Sequence, residues 1–212
     1  MSKILVTGMS GTGKSSALAE LGRIGYRVVD TDEPGWREYR EHVAPIDELH
    51  RGEWLWVVKR MTKLLSSDDA RTLFVAGGVR NQSAFYDRFD AVVLLGAPTD
   101  VLLDRIAGRT TNPYGKTPLD RAEILDDLSN VEPLLRATCT HEIDASRPLE
   151  EVVADLVAIA TRPGTAAGQQ GPGVAGDASA RSSRWAPASR QLHIQASHSR
   201  QTWLMHREAR SD

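Results

Sequence analysis

Short runs of β-branched and aliphatic residues alternate along the chain with longer stretches whose apolar positions recur every three or four residues. The runs at 3–7 (KILVT), 27–30 (RVVD), 72–76 (TLFVA), 91–95 (AVVLL) and 141–144 (HEID) read as strands. Helical spacing occupies 15–24, where Ala17, Leu18 and Leu21 fall on one side, and 53–65, through Leu55, Val58, Met61, Thr62 and Leu65. Three more helical patterns follow at 98–107, 119–135 and 149–160. Strands that are apolar throughout and separated by helices belong to a parallel sheet covered on both faces. Crossovers between such strands are right-handed. The expected architecture is α/β, in three layers, with a five-stranded parallel sheet at its centre.

The pattern ends near residue 161. Beyond it lies RPGTAAGQQGPGVAGDASARSSR, rich in Gly, Ala, Ser, Gln and Pro and almost without large aliphatic side chains. Such a stretch cannot bury enough apolar surface to offset its ordering entropy, so residues 162–212 are expected to be a disordered tail. Charge divides at the same place. The whole chain of 212 residues carries 26 Lys+Arg and 28 Asp+Glu, a formal net charge of −2. The tail holds seven Arg, no Lys and three acids, or +4, which leaves −6 on residues 1–161. A negative body argues against a nucleic-acid-binding domain, and +4 spread over the tail is dilute for a basic arm. Cys139 is the single cysteine, so neither an intramolecular disulfide nor a multi-cysteine metal site is available. His42, His50 and His141 are scattered without metal-ligand spacing. MSKILVTG lacks the profile of a secretory signal, and no apolar run approaches membrane-spanning length. The expected setting is cytoplasmic.

Candidate chemistry enters at Gly8-Met9-Ser10-Gly11-Thr12-Gly13-Lys14-Ser15. It fits the phosphate-loop pattern G-x-x-x-x-G-K-[ST], with an apolar strand before it and a helix after it. Glycines let the backbone turn its N–H groups inward as a nest for phosphate oxygens, and the following helix adds its positive end. The candidates for ATP are Gly8, Ser10, Gly11, Thr12, Gly13, Lys14, Ser15 and Ser16. Lys14 reaches the β- and γ-phosphates, and the Ser15 hydroxyl is a ligand for Mg²⁺. Acids close the second strand in Val28-Val29-Asp30-Thr31-Asp32, whereas the third ends Val75-Ala76-Gly77-Gly78 with none.

This arrangement resembles the small-metabolite and nucleoside-monophosphate kinases, over about residues 3–160. The shikimate kinases are similar in the G-M-x-G-x-G-K-[ST] loop, in a D-x-D pair matched by Asp30-Thr31-Asp32, and in a glycine cluster matched by Gly77-Gly78. The adenylate kinases are similar in placing a glycine and an arginine after the third strand, as in Gly77-Gly78-Val79-Arg80. Val79 stands where the shikimate kinase pattern has a third glycine, and Trp36-Arg37-Glu38-Tyr39 where it has F-R-x-x-E. Ala76 stands where the adenylate kinase pattern has an aspartate. The resemblance implies a P-loop NTPase fold with a small lid, using ATP and Mg²⁺ on a small hydroxyl- or phosphate-bearing acceptor. The acceptor itself stays open: a nucleoside monophosphate, a shikimate-like polyol or another hydroxyl compound.

On that resemblance Asp32 holds the acceptor hydroxyl or takes its proton, and Asp30 binds Mg²⁺ with Ser15. The plainer reading of Asp32, ahead of Glu33-Pro34, is an N-cap for a following helix. Gly78 and Arg80, just past a strand end, lie where ligands enter open parallel sheets, and Arg80 can pair an acceptor phosphate or carboxylate. Trp54 and Trp56, two apart on the expected helix, point in different directions, and Trp54 is the candidate wall of the acceptor pocket. Arg105 and Arg109, at i and i+4 ahead of Thr110-Thr111-Asn112-Pro113-Tyr114-Gly115-Lys116, share one face at the start of a lid spanning about 109–118. Cations placed there counter the charge that phosphoryl transfer spreads over oxygens. Arg109 is the first candidate, and Arg105 and Lys116 support it. At 141–148 a loop beside the last helix is where the resembled kinases hold adenine. Two other readings stand against the phosphotransferase: an ATP-binding regulator with slow or no hydrolysis, and a tail that touches nucleic acid.

Overall fold

The computed structural model describes residues 2–43, 51–110 and 112–162. The expected tail at 162–212 therefore lies outside the described residues, except for its first position. Five parallel strands form the central sheet: β1 (Lys3–Thr7), β2 (Arg27–Asp30), β5 (Leu73–Ala76), β6 (Ala91–Gly96) and β7 (His141–Asp144). Their spatial order is β2-β5-β1-β6-β7. The chain thus starts in the middle, fills one side, and returns past β1 to fill the other. Ligands bind beyond the carboxyl ends of strands at such a reversal, and here that point is the end of β1.

Alternate residues of the strands feed two cores. Ile4, Val6, Phe74, Ala76, Val93, Leu95 and Ile143 pack with α1 (Lys14–Arg23) and α6 (Leu149–Thr161) through Leu18, Leu21, Val152 and Leu156. Leu5, Leu73, Val75 and Val92 face the other way, against Met61, Leu64 and Leu65 of α2 (Val58–Leu65) and the 3-10 helix Gln82–Arg88 with Phe85. Each buried Leu or Phe contributes about 1.5–3 kcal/mol of transfer free energy, so apolar faces rather than propensity fix the layers.

Two expected elements differ. The helix expected over 53–65 begins only at Val58, because Gly52–Trp56 is strand β4, paired antiparallel with β3 (Arg37–Glu41). On a strand Trp54 and Trp56 share one face, not the different directions a helix would give them; Trp56 is 1% exposed, whereas Trp54, in the middle of β4, is 44% exposed. The helix expected over 119–135 is two helices, α4 (Pro118–Asn130) and α5 (Glu132–Thr138), meeting at Val131. Pro133, in the first turn of α5, has no N–H to continue the ladder of α4. α4 starts at Pro118 because Thr117 and Asp120 form a reciprocal capping box. α3 (Thr99–Gly108) matches its expected span within a residue.

Candidate active site

β1 ends at the fully buried Thr7, and the loop Gly8–Gly13 carries the chain over to α1. Gly8 has φ +144°, and a Cβ there would come within 2.4 Å of the Leu95 carbonyl oxygen of β6. No side chain fits this position. Gly11 packs against the α3 backbone at Leu102 and the Ile106 side chain, and Gly13 immediately precedes α1. Thr12 is buried, and its hydroxyl donates to Met9 O at 2.9 Å, so its side chain holds the loop's shape. Ser15 and Ser16 stand exposed in the first turn of α1.

Lys14 Nζ curls back over this loop and donates to Gly8 O at 2.7 Å and Met9 O at 3.0 Å. Burial of the ammonium lowers its pKa, the nearby carboxylates of Asp32 and Asp30 raise it, and Arg109 and Arg37 lower it. One small region therefore gathers three cations and two acids drawn from separate parts of the chain.

The two acids differ in their partners. Ser15 Oγ donates to Asp30 Oδ2 at 2.6 Å, so the two expected metal ligands lie side by side. Mg²⁺ is held by one or two protein oxygens together with phosphate and water, and an Asp carboxylate beside a Ser hydroxyl fits that donor set. Asp30 Oδ1 also accepts from the Asp32 N–H at 2.9 Å, which fixes the turn after β2. Asp32 Oδ1 meets Arg37 Nη1 at 2.7 Å. It caps no helix: the next element is the β3–β4 hairpin, and the following helix starts at Val58.

The hairpin brings Arg37 and Trp54 beside the acids. The Arg37 guanidinium lies 4.5 Å over the Trp54 ring, and Tyr39 leans on the same ring at 5.2 Å. Arg80 Nε stands 3.7 Å from Glu53 Oε2, and the Arg80 N–H donates to Trp54 O at 3.0 Å. Trp54 and Arg80 are thus brought together. Gly78 lies against the start of the loop: a Cβ there would stand 3.8 Å from Gly8 O. Gly77, at φ +153°, accommodates Thr31: a Cβ there would fall 1.9 Å from Thr31 Oγ1. That hydroxyl donates to Ala76 O at 2.8 Å and accepts from Trp56 Nε1 at 2.9 Å.

On the opposite side, Arg109 Nη2 donates to Tyr114 O at 2.7 Å and to Ser10 Oγ at 3.3 Å. Its Nε is buried with no hydrogen-bond partner among the described residues. Burial lowers the guanidinium's pKa, which the Tyr114 phenol and Asp32 partly offset. A cation pressed on the phosphate loop with an unsatisfied donor suits an anionic ligand. The neighbours do otherwise. Lys116 Nζ donates to the Ile106 and Ala107 carbonyls and so closes the C-terminus of α3. Arg105 is exposed on α3, where its charge helps lower the pKa of Asp144, after the larger effect of hydrogen bonds from Ser146. Ser146 N and Oγ both bond Asp144 Oδ1, at 2.8 and 2.6 Å, and so shape the turn before α6. A hollow of about 470 Å³ between the ends of β6 and β7, lined by Gly96, Pro98, Arg136 and Asp144 among others, includes no residue of the phosphate loop.

Arg37 joins Asp32, and Thr31, Asn81 and Gln82 brace the elements around it; none of the four was among the candidates. The alternation of REYRE against GEWLW was the available signal for the hairpin that carries Arg37. The other three act through contacts distant in sequence.

A family model described as an AAA domain matches residues 4–126. Shikimate kinase 2 of Yersinia enterocolitica is 30% identical over 169 residues, which cover 74% of this chain and 94% of that protein. Among solved structures, the shikimate kinase from Acinetobacter baumannii in complex with shikimate aligns with a TM-score of 0.51 at 18% identity, over 75% of this chain and 92% of that one. A gluconokinase from Sinorhizobium meliloti 1021 aligns with a TM-score of 0.51 at 23% identity, over 76% and 92%. Fold, loop and relatives define an ATP-binding P-loop phosphotransferase, which moves the γ-phosphoryl group of ATP to a small-molecule or nucleotide acceptor. The chain belongs to the AAA-domain family of P-loop kinases and is a homologue of the shikimate kinases. The regulator without turnover is not favoured. Among the described residues no helix is long and apolar enough to cross a membrane.

Proposed function

We propose that this kinase uses ATP with Mg²⁺, in the cytoplasm, to phosphorylate a hydroxyl group on a small acceptor that also carries an anionic group. The carrying observation is the run of contacts from Ser15 through Asp30 and Asp32 to Arg37, set beside Lys14. Ser15 and Asp30 would hold the metal, which supplies charge neutralisation at the phosphates when bound. Lys14 moves from the loop carbonyls to the β- and γ-phosphates, and the backbone nest fixes the donor. Asp32 accepts the hydroxyl hydrogen and aims the oxygen at the γ-phosphorus. A new bond forms from the acceptor oxygen to phosphorus, the bond to the β,γ-bridging oxygen breaks, and the hydroxyl proton passes to Asp32 and then to solvent. Arg109 turns its unsatisfied Nε to the oxygens that gain charge. Arg37 and Arg80 face the acceptor's anionic group, and Trp54 walls the pocket. Arg105 and the turn at 144–148 border the nucleotide.

A hydroxy acid suits this pocket better than a nucleoside monophosphate. The salt-bridged Asp32–Arg37 pair presents hydrogen-bonding groups beside the exposed Trp54, where a base would need a flat slot. The name of the Yersinia relative points to the same class. The test is ADP release by the full chain over a panel of sugar acids, cyclic hydroxy acids, polyols and nucleoside monophosphates. A hydroxy acid is expected to raise release at least 100-fold, and Asp32→Asn to abolish the rise. Stimulation by nucleoside monophosphates alone would overturn this reading.

A further inference from the structure

Strand β4 has one edge paired with β3, and its other edge is closed by two residues that follow the glycine turn. At Trp54 the carbonyl accepts from the Arg80 N–H at 3.0 Å. At Trp56 a side chain takes over: the Trp56 N–H donates to Asn81 Oδ1 at 2.9 Å, and Asn81 Nδ2 donates to Trp56 O at 3.2 Å. The carboxamide gives the strand one acceptor and one donor, as a peptide unit of a neighbouring strand would. Gln82 reaches the opposite way. It is 3% exposed, and its Oε1 accepts from Thr7 Oγ1 at 3.2 Å and from the Val79 N–H at 3.4 Å, while its Nε2 donates to Tyr86 OH at 2.8 Å. Thr7 is the residue before the phosphate loop.

Two consecutive amides therefore join the hairpin to the root of that loop. Trp56 lies opposite Arg37 in the hairpin register, and Arg37 holds Asp32. A shift of β4 at Trp56 would move Arg37, Asp32, Glu53 and Trp54 together, while the contacts of Lys14 to Gly8 and Met9 would stay as they are. We infer that Asn81 is a positioning residue for the acceptor: it sets where the hairpin stands relative to the phosphate loop, and so how tightly the acceptor binds. This rests on the hairpin being the acceptor side.

Asn81→Ala removes both bonds to Trp56, and Asn81→Asp keeps the acceptor but loses the donor. In the full chain, hydrogen exchange at residues 52–57 is expected to accelerate at least tenfold in Asn81→Ala, with residues 14–23 unchanged. KM for the acceptor identified by the panel is expected to rise at least tenfold, with KM for ATP within twofold and kcat within threefold of wild type. Asn81→Asp is expected to show the same split at smaller size, and it decides the matter if the alanine variant does not fold. Unchanged exchange at 52–57, or KM values for acceptor and ATP that rise together, would overturn the inference. Should the wild-type chain phosphorylate nothing in the panel, the acceptor reading falls by itself. The exchange rates at 52–57 then still decide whether Asn81 holds the hairpin.

Discussion

On the proposed reading, the donor half and the acceptor half of this site are built on different principles. In the donor half Lys14 closes on carbonyls only six and five residues back, and Ser15 reaches Asp30 just one helix and one strand away. Backbone geometry forced by glycine does most of the shaping. Arg109, reaching Ser10 across 99 residues, is the donor half's one distant fastening among these, whereas the acceptor half relies on several: Trp56 to Thr31 and to Asn81, both 25 residues apart, and Thr7 to Gln82, 75 apart. A local device can be kept while its surroundings change. A clamp assembled from distant side chains moves as one unit, so a change at one fastening is felt across the whole acceptor half.

If the halves are separable, breaking the donor half should abolish transfer without unfolding the protein. Lys14→Ala is expected to lower phosphoryl transfer by about 10³-fold. Its melting temperature should hold or rise slightly, because the variant no longer buries an ammonium. ADP release and thermal melting of the same sample check this, and a collapse in melting would show that the loop depends on Lys14 for its shape. Arg109→Met should act in the same direction but less, by about 10²-fold in kcat, with acceptor KM little changed. A dominant rise in acceptor KM would place Arg109 in the other half.

The acceptor half should answer in stability as well as activity. Thr31→Val removes the acceptor for the buried Trp56 Nε1–H and leaves that donor unsatisfied, at a cost of about 1–3 kcal/mol in a denaturant titration. The effect should appear in acceptor KM before ATP KM. This contrast also explains what was legible in the sequence. The five strands, the phosphate loop, the acid pair and Arg109 could be read because each lies in a short segment whose period or spacing carries its meaning. The hairpin was harder to read, because LWVVKRMTKLL satisfies helical spacing from Leu55 onward and so outweighs the short strand alternation in GEWLW. What decides between them is Trp56 packing under Thr31 and docking on Asn81, contacts that no local window contains. The break at Val131 was missed for a simpler reason: the apolar period runs through Pro133 unbroken, and only its missing N–H stops the helix.

The loop after α3 tests whether a third region stands between the two halves. Tyr114 offers its carbonyl to Arg109, while its phenol is pushed well above the ordinary 10.0, first by burial and then by the carboxylates of Glu123, Asp127 and Asp120 on α4. The folded state therefore keeps the phenolic proton at pH values where the unfolded chain has lost it. Its contribution to stability is whole below pH 10 and declines as the pH rises toward the folded value. Tyr114→Phe should flatten the loss of stability between about pH 9 and pH 11, by under about 1 kcal/mol because the ring is only half-buried. Urea midpoints at the two pH values check the sign. If removal of the phenol also lowers kcat at neutral pH, Arg109 is being held from α4, and the donor half extends beyond the local backbone. If kcat is unchanged, Ser10 and the loop suffice to hold it, and the division between a locally built donor half and a remotely fastened acceptor half stands.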